Sequence, residues 1–163
     1  MTLRFPVAPM KATMGSTSAI PEGDDWAFEI KWDGYRTVVH LTDGRVRLQS
    51  TAGHDVTDRW PEFGDLAAAV NASSAILDAE LIVFDDDGRP SFELAQRSGA
   101  GSSREAVLQF FDVLQIDGID TIDLAYVDRR RLLDGLVEPG ENWTVPASRL
   151  GGGAALVAAS AEQ

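Results

Sequence analysis

Lysine occurs twice in this 163-residue chain, at Lys11 and Lys31, and only the second stands in a setting suited to chemistry. The segment Glu29-Ile30-Lys31-Trp32-Asp33-Gly34-Tyr35-Arg36 puts a lysine at a predicted strand end, a turn glycine three residues on and an arginine five residues on. A lysine among apolar strand residues beside an arginine would be biased towards the neutral amine, by desolvation and by the like charge. A neutral amine is a nucleophile. Taken alone, Lys-x-Asp-Gly describes a surface turn with an incidental lysine equally well. Two other clusters could serve such a nucleophile. One is the acid pair of Ile76-Leu77-Asp78-Ala79-Glu80-Leu81, and the other is the aromatic-acid run Phe110-Phe111-Asp112-Val113-Leu114. Period-two alternation places Asp78 and Glu80 on one face of a strand and Leu77, Ala79 and Leu81 on the other. The bland readings are a satisfied edge carboxylate for the acids and ordinary core packing for Phe111.

These residues need a sheet to carry them, and the pattern supplies one. The first 24 residues read as loop, broken by Pro6, Pro9, Gly15, Pro21 and Gly23. Strands are predicted over Trp26–Lys31, Tyr35–Leu41 and Arg45–Gln49, the last two joined by the hairpin signal Asp43-Gly44. Pro61–Val70 reads as a short helix with Phe63, Leu66, Ala67 and Val70 on one stripe. Ala75–Phe84 reads as a buried strand ending at Asp85-Asp86-Asp87-Gly88. Val107–Leu114 reads as another, closed by Asp117-Gly118. Tyr126–Val137 is a predicted helix with Asp128 in its first turn. Asn142–Val145 is a further strand, and Ala154–Ala161 an alanine-rich helix. No repeat or linker interrupts this order, which gives one α+β domain on an antiparallel sheet, over 1–163.

Composition bounds the partners. Hydrophobic content of 44% and charged content of 25% are ordinary for a globular chain. No apolar run approaches the roughly 18 residues of a membrane span. With no cysteine, disulfides and thiolate metal sites are excluded, and His40 and His54 lack metal-binding spacing. The expected setting is cytoplasmic, near the nucleoid. The formal net charge of −12 opposes tight binding to nucleic acid, which usually needs a basic stripe. Arg129-Arg130-Arg131 is the one dense basic cluster, and it reads as a solvated helix face.

The segment around Lys31 resembles the nucleotidyltransferase motif of ATP-dependent DNA ligases, especially bacterial ligases of the end-joining type. The resemblance runs from Pro9-Met10 to the end of the chain. Asp78-Ala79-Glu80 looks like the family's third motif. Phe110-Phe111-Asp112-Val113-Leu114 with Asp117-Gly118 looks like the next, and Leu124–Leu133 like a common helix opening. The resemblance implies an antiparallel-sheet adenylation domain (ATP-grasp-like), with ATP and Mg2+ or Mn2+ as cofactors. Lys31 would form a phosphoramidate with AMP and expel pyrophosphate. Glu29 would read the adenine edge, Arg36 and Glu80 would hold the ribose, Phe111 would stack on the adenine, and Asp33 would approach a metal-bound water. In the complete enzyme the AMP would pass to a 5′-phosphate of nicked or broken duplex DNA, in repair or recombination.

Two departures accompany the likeness. Thr51, in Gln49-Ser50-Thr51-Ala52-Gly53, stands where the family carries arginine or lysine. The family's later glutamate–glycine motif, its phosphate-holding lysines and its OB-fold domain lie beyond the pattern read here. The expectation is therefore a partial adenylation domain that binds DNA weakly and does not seal nicks unaided. A complementing ligase half or self-association would be its protein partner. The alternative is a non-catalytic remnant that binds nucleotide or another protein. An RNA ligase or capping enzyme fits less well around Trp26–Arg36 and Ile76–Phe84.

Overall fold

The computed structural model describes residues 3–15 and 20–160. In chain order its elements are β1 (Ala27–Phe28), β2 (Tyr35–Thr42), β3 (Arg45–Ser50), β4 (Ser74–Val83), α1 (Phe92–Arg97) and β5 (Ala106–Ile116). There follow β6 (Ile119–Asp120), α2 (Tyr126–Leu136), β7 (Trp143–Thr144), β8 (Arg149–Leu150) and α3 (Gly153–Ser160). Two 3-10 segments, Thr57–Arg59 and Pro61–Ala69, lie between β3 and β4. The described residues form two compact units, 3–9 with 32–145 and 10–31 with 146–160.

The first unit is built on a sheet of order β3-β2-β4-β5-β6, antiparallel throughout, with the short β7 parallel to β5. Two tight turns set its register. Asp43 and Gly44 both take positive φ, 51° and 73°, as do Asp117 and Gly118, at 47° and 79°. Paired positive φ angles match the right-handed twist of the strands they join, and Asp-Gly reaches them at little cost. Asp117 Oδ1 also accepts from the backbone N–H groups of Ser73 and Ser74, both at 2.9 Å. That ties the β5–β6 turn to the start of β4.

One face of the sheet carries the main core. Val39, Leu48, Leu77, Ala79, Leu81, Leu108 and Phe110 pack there with Trp60, Phe63 and Leu66 of the 3-10 region and Leu133 of α2. The predicted helix over Pro61–Val70 is a 3-10 helix, in which side chains three apart eclipse. Phe63 and Leu66, three apart, are accordingly its buried pair. The opposite face of the sheet carries Val38 and Ile76, covered in part by Val7. Gln49 fixes that covering segment, since its Oε1 accepts from Val7 N at 2.8 Å and its Nε2 donates to Val7 O at 2.7 Å.

In the second unit β1 pairs with β8, Ala27 opposite Leu150 and Phe28 opposite Arg149. A Cβ on Gly153, the first residue of α3, would run into the Phe28 ring. The strand expected over Trp26–Lys31 is therefore only two residues long. Lys31 follows it in an exposed segment without strand pairing, not among buried strand residues. Only these two residues have partners, because β8 is itself a two-residue strand. Four elements have no counterpart in the sequence reading: the 3-10 turn Thr57–Arg59, α1, β6 and β8.

Candidate functional site

The face of the sheet away from the main core gathers most of the residues singled out above. Directly opposed residues on neighbouring strands share a face and stand close together. Arg36 on β2 opposes Glu80 on β4, and Val38 opposes Asp78. Asp78 in turn opposes Asp112 on β5, and Glu80 opposes Gln109. The alternation read from the sequence for Asp78 and Glu80 holds, with Leu77, Ala79 and Leu81 buried on the other side.

Phe111 reaches this face through a β-bulge. The β4–β5 register pairs Asp78 with Asp112 but Ala79 with Phe110, which leaves Phe111 as an extra residue on β5. An inserted residue breaks the period of two and re-aims the side chains beside it. Phe110 enters the core while Phe111 and Asp112 both stay half-buried. A second register shift between Ile76 and Leu77 leaves Leu114 unpaired, and Val113 returns to the core.

Arg36 is held from below. Its Nε donates to Asp78 Oδ1 at 3.0 Å and its Nη2 to Asp78 Oδ2 at 2.7 Å. This two-pronged geometry is among the stronger charge-assisted arrangements. The Asp78 side chain is 4% exposed and that of Arg36 24%. Burial pushes the Asp78 carboxyl above the usual carboxylate range, while the Arg36 contact pulls it back. The hydrogen bond from Arg36 to Asp78 raises the already high pKa of the guanidinium, so the arginine stays charged. The Arg36 guanidinium carbon also lies 5.6 Å from the centre of the Phe111 ring, within cation–π range.

Asp112 has a similar partner from α2. Arg129 Nε donates to Asp112 Oδ1 at 2.8 Å and Nη2 to Oδ2 at 2.9 Å, and Nη1 donates to Leu124 O at 2.7 Å. The hydrogen bond to Asp112 likewise raises the Arg129 pKa. The arginine run is thus not a solvated face. The side chains of Arg129 and Arg130 are 15% and 8% exposed, the second paired with Asp134 at 3.3 Å, and only Arg131 is open to solvent. The sequence reading missed this because nothing local tells which carboxylate a helical arginine will meet.

Gly34 shows why a glycine follows Asp33. A Cβ there would run into the Leu81 carbonyl oxygen and stand 2.9 Å from Glu80 Cγ. Asp33 itself is exposed, and its Oδ2 accepts from Phe92 N at the start of α1 at 3.4 Å. Among the described residues no group of three or more His, Cys, Asp or Glu is placed to hold a metal ion. Mg2+ commonly takes one or two protein carboxylates and completes its shell with water and substrate phosphates, so a larger acidic cluster is not needed to hold it. Thr51 is exposed in the turn after β3. His40 is a structural residue, its Nε2 3.0 Å from Gln49 Oε1 and its ring edge-on to Phe5.

The expected site residues divide between the two units. Asp33, Arg36, Glu80 and Phe111 belong to the first. Glu29 and Lys31 belong to the second, Glu29 half-buried just after β1 and Lys31 exposed.

Comparison with known proteins agrees with this architecture. The chain is 40% identical over 156 residues to the multifunctional non-homologous end joining DNA repair protein LigD of Mycobacterium tuberculosis, covering 94% of this chain and 20% of that protein. A probable DNA ligase of a Nocardioides species is 36% identical over 143 residues, covering 84% of this chain and 28% of that one. Among solved structures, mycobacterial DNA ligase D complexed with ATP and MES superposes with a TM-score of 0.80 at 36% identity, over 95% of this chain and 50% of that one. The ligase domain of M. tuberculosis LigD gives 0.77 at 37%, with the same coverage. The chain thus spans about half of the solved ligase chains, 20% of the M. tuberculosis protein and 28% of the Nocardioides one. The family model for the ATP dependent DNA ligase domain matches residues 9–152, so the chain belongs to the ATP dependent DNA ligase domain family.

Proposed function

We propose that the chain is an adenylation module in which Lys31 takes AMP from ATP, feeding DNA nick sealing in the complete enzyme. The observation that carries this reading is the anchored cation beside an aromatic ring. Arg36 is locked by Asp78 against Phe111, on the same sheet face as Glu80 and in a chain of the ligase family. Such a surface suits a nucleoside, with a ring for the base and fixed polar groups for the sugar.

In the proposed reaction the Lys31 Nζ lone pair attacks the α-phosphorus of ATP. An N–P bond forms, the bond from that phosphorus to the bridging oxygen breaks, pyrophosphate leaves, and the amine loses a proton to solvent. Phe111 stacks on the adenine and Glu29 reads its edge, while Arg36 and Glu80 hold the ribose. Their contribution is positioning, with little reorganisation during the step. Mg2+ would travel with the phosphates and neutralise their charge, with Asp33 as the carboxylate proposed to approach its bound water. The DNA 5′-phosphate would receive the AMP in a later step.

The test is intact-mass spectrometry of the chain after incubation with ATP and Mg2+, alongside Lys31→Ala. With Lys11 as the only other lysine, peptide mapping assigns the adduct. One AMP per chain on Lys31, absent from the variant, is the expected result. Thr51, exposed where the resemblance leads one to look for a cation, favours a second reading, a module that binds nucleotide without reacting. That reading gives ATP binding with no adduct.

A further inference from the structure

Gln109 of β5 directly opposes Glu80 of β4, which opposes Arg36 of β2, so the three form one row across the sheet. Its neighbours Leu108 and Phe110 both point into the main core, which leaves Gln109 on the site's face. The residue is 7% exposed. Its Oε1 is buried and has no hydrogen-bond partner among the described residues. An orphaned acceptor lowers stability, because the group gave up water on folding and received nothing in return. Leucine would fill a similar volume without the cost of the orphaned Oε1.

We propose that Gln109 determines nucleotide specificity by accepting, through Oε1, a hydrogen bond from a ribose hydroxyl of bound ATP. The inference rests on the nucleotide-binding reading above and names one contact within it. An acceptor needs a donor, and at neutral pH the phosphates of ATP have none. The donors that remain are the two ribose hydroxyls and the adenine amine. Gln109 shares its row with Arg36 and Glu80, the residues to which the proposed function gives the sugar. Phe111, which takes the base, lies beyond this row at the bulge. The row therefore selects the hydroxyls.

The test is equilibrium binding of ATP, 2′-deoxyATP and 3′-deoxyATP to the full chain and to Gln109→Leu, with EDTA present so that no adduct forms. The full chain should bind at least one deoxy analogue about tenfold more weakly than ATP, and Gln109→Leu should lose most of that discrimination. Without nucleotide, Gln109→Leu should melt at the same temperature or higher, which separates a lost contact from a damaged fold. A folded Gln109→Leu that keeps the full preference for ATP overturns this inference and leaves the nucleotide-binding reading standing. So does a full chain that binds all three nucleotides equally. Failure of the full chain to bind ATP at all overturns both.

Discussion

The Arg36–Asp78 pair is the residue-scale feature on which the site's geometry depends most. Asp78→Ala leaves a partly buried guanidinium without its two acceptors. We expect a loss of about 3 kcal/mol in urea unfolding, the lower end for a broken buried pair because Arg36 is a quarter exposed. Asp78→Asn keeps the shape and should cost less stability but weaken ATP binding about tenfold, since Arg36 is then held less firmly. The Asp78 carboxyl also carries a pH signature. Burial raises its pKa in the folded state, so the fold favours the protonated acid. Its contribution is fully present below the ordinary Asp value of about 4 and is lost as pH rises through the raised value. His40 has the opposite sign. Burial first, and then Arg47, lower its folded pKa, opposed by the hydrogen bond it donates to Gln49 Oε1 and by the nearby Asp55. Its contribution is present above the unfolded value of about 6.5 and is lost as pH falls through the lowered one. Unfolding curves at pH 7.5 and 5.5 should show the full chain losing stability on acidification and His40→Gln losing less. A variant with an unchanged pH difference would refute this assignment for His40. The segments that make Lys31, Arg36, Glu80 and Phe111 candidates are each local in sequence and could be read there. Asp112–Arg129 and the orphaned Gln109 amide could not, because each depends on which strand or helix lies alongside.

Among the elements, β5 departs most from a simple reading. A regular strand would put Phe110 and Asp112 on one face and Phe111 on the other. The bulge puts Phe110 in the core and aims Phe111 and Asp112 together at the site. The two phenylalanines should therefore fail differently. Phe110→Ala removes a fully buried ring and should cost about 3–5 kcal/mol in chemical denaturation. Phe111→Ala should cost about 1 kcal/mol or less but weaken ATP binding by about tenfold or more, the usual effect of losing one base-stacking ring. Equal losses of stability would contradict the bulge. Gly34→Ala tests the neighbouring approach of β2 to β4. Its Cβ would displace Leu81 O and Glu80 Cγ, so adduct formation should fall at least tenfold while the protein stays folded. The long strands and the two Asp-Gly hairpins could be read from pattern and turn chemistry. The bulge could not, because nothing in the doubled Phe110-Phe111 says which of the two rings faces the core. Short β1 was over-extended for a related reason, since the length of an edge strand follows from its partner and β8 gave no signal.

For the whole molecule, the α+β class and the antiparallel sheet followed from the order of turns and strands. The division into two units did not, because the second is assembled from segments more than a hundred residues apart in sequence. No described helix is long and apolar enough to cross a membrane. The net charge of −12, with two of the three clustered arginines buried in ion pairs, makes tight binding of this chain to DNA phosphates unfavourable. Fluorescence anisotropy with nicked duplex near physiological salt should give no saturable binding in the micromolar range, and multiple-turnover sealing should be absent. Saturable, salt-sensitive binding would show a basic surface that this arrangement of charges does not provide. Whether Lys31 takes AMP is read without intermediaries by intact-mass spectrometry after incubation with ATP and Mg2+. One AMP on Lys31, and none on Lys31→Ala, is the expected result. A folded chain that binds ATP but carries no adduct, or carries it on Lys11, would contradict it.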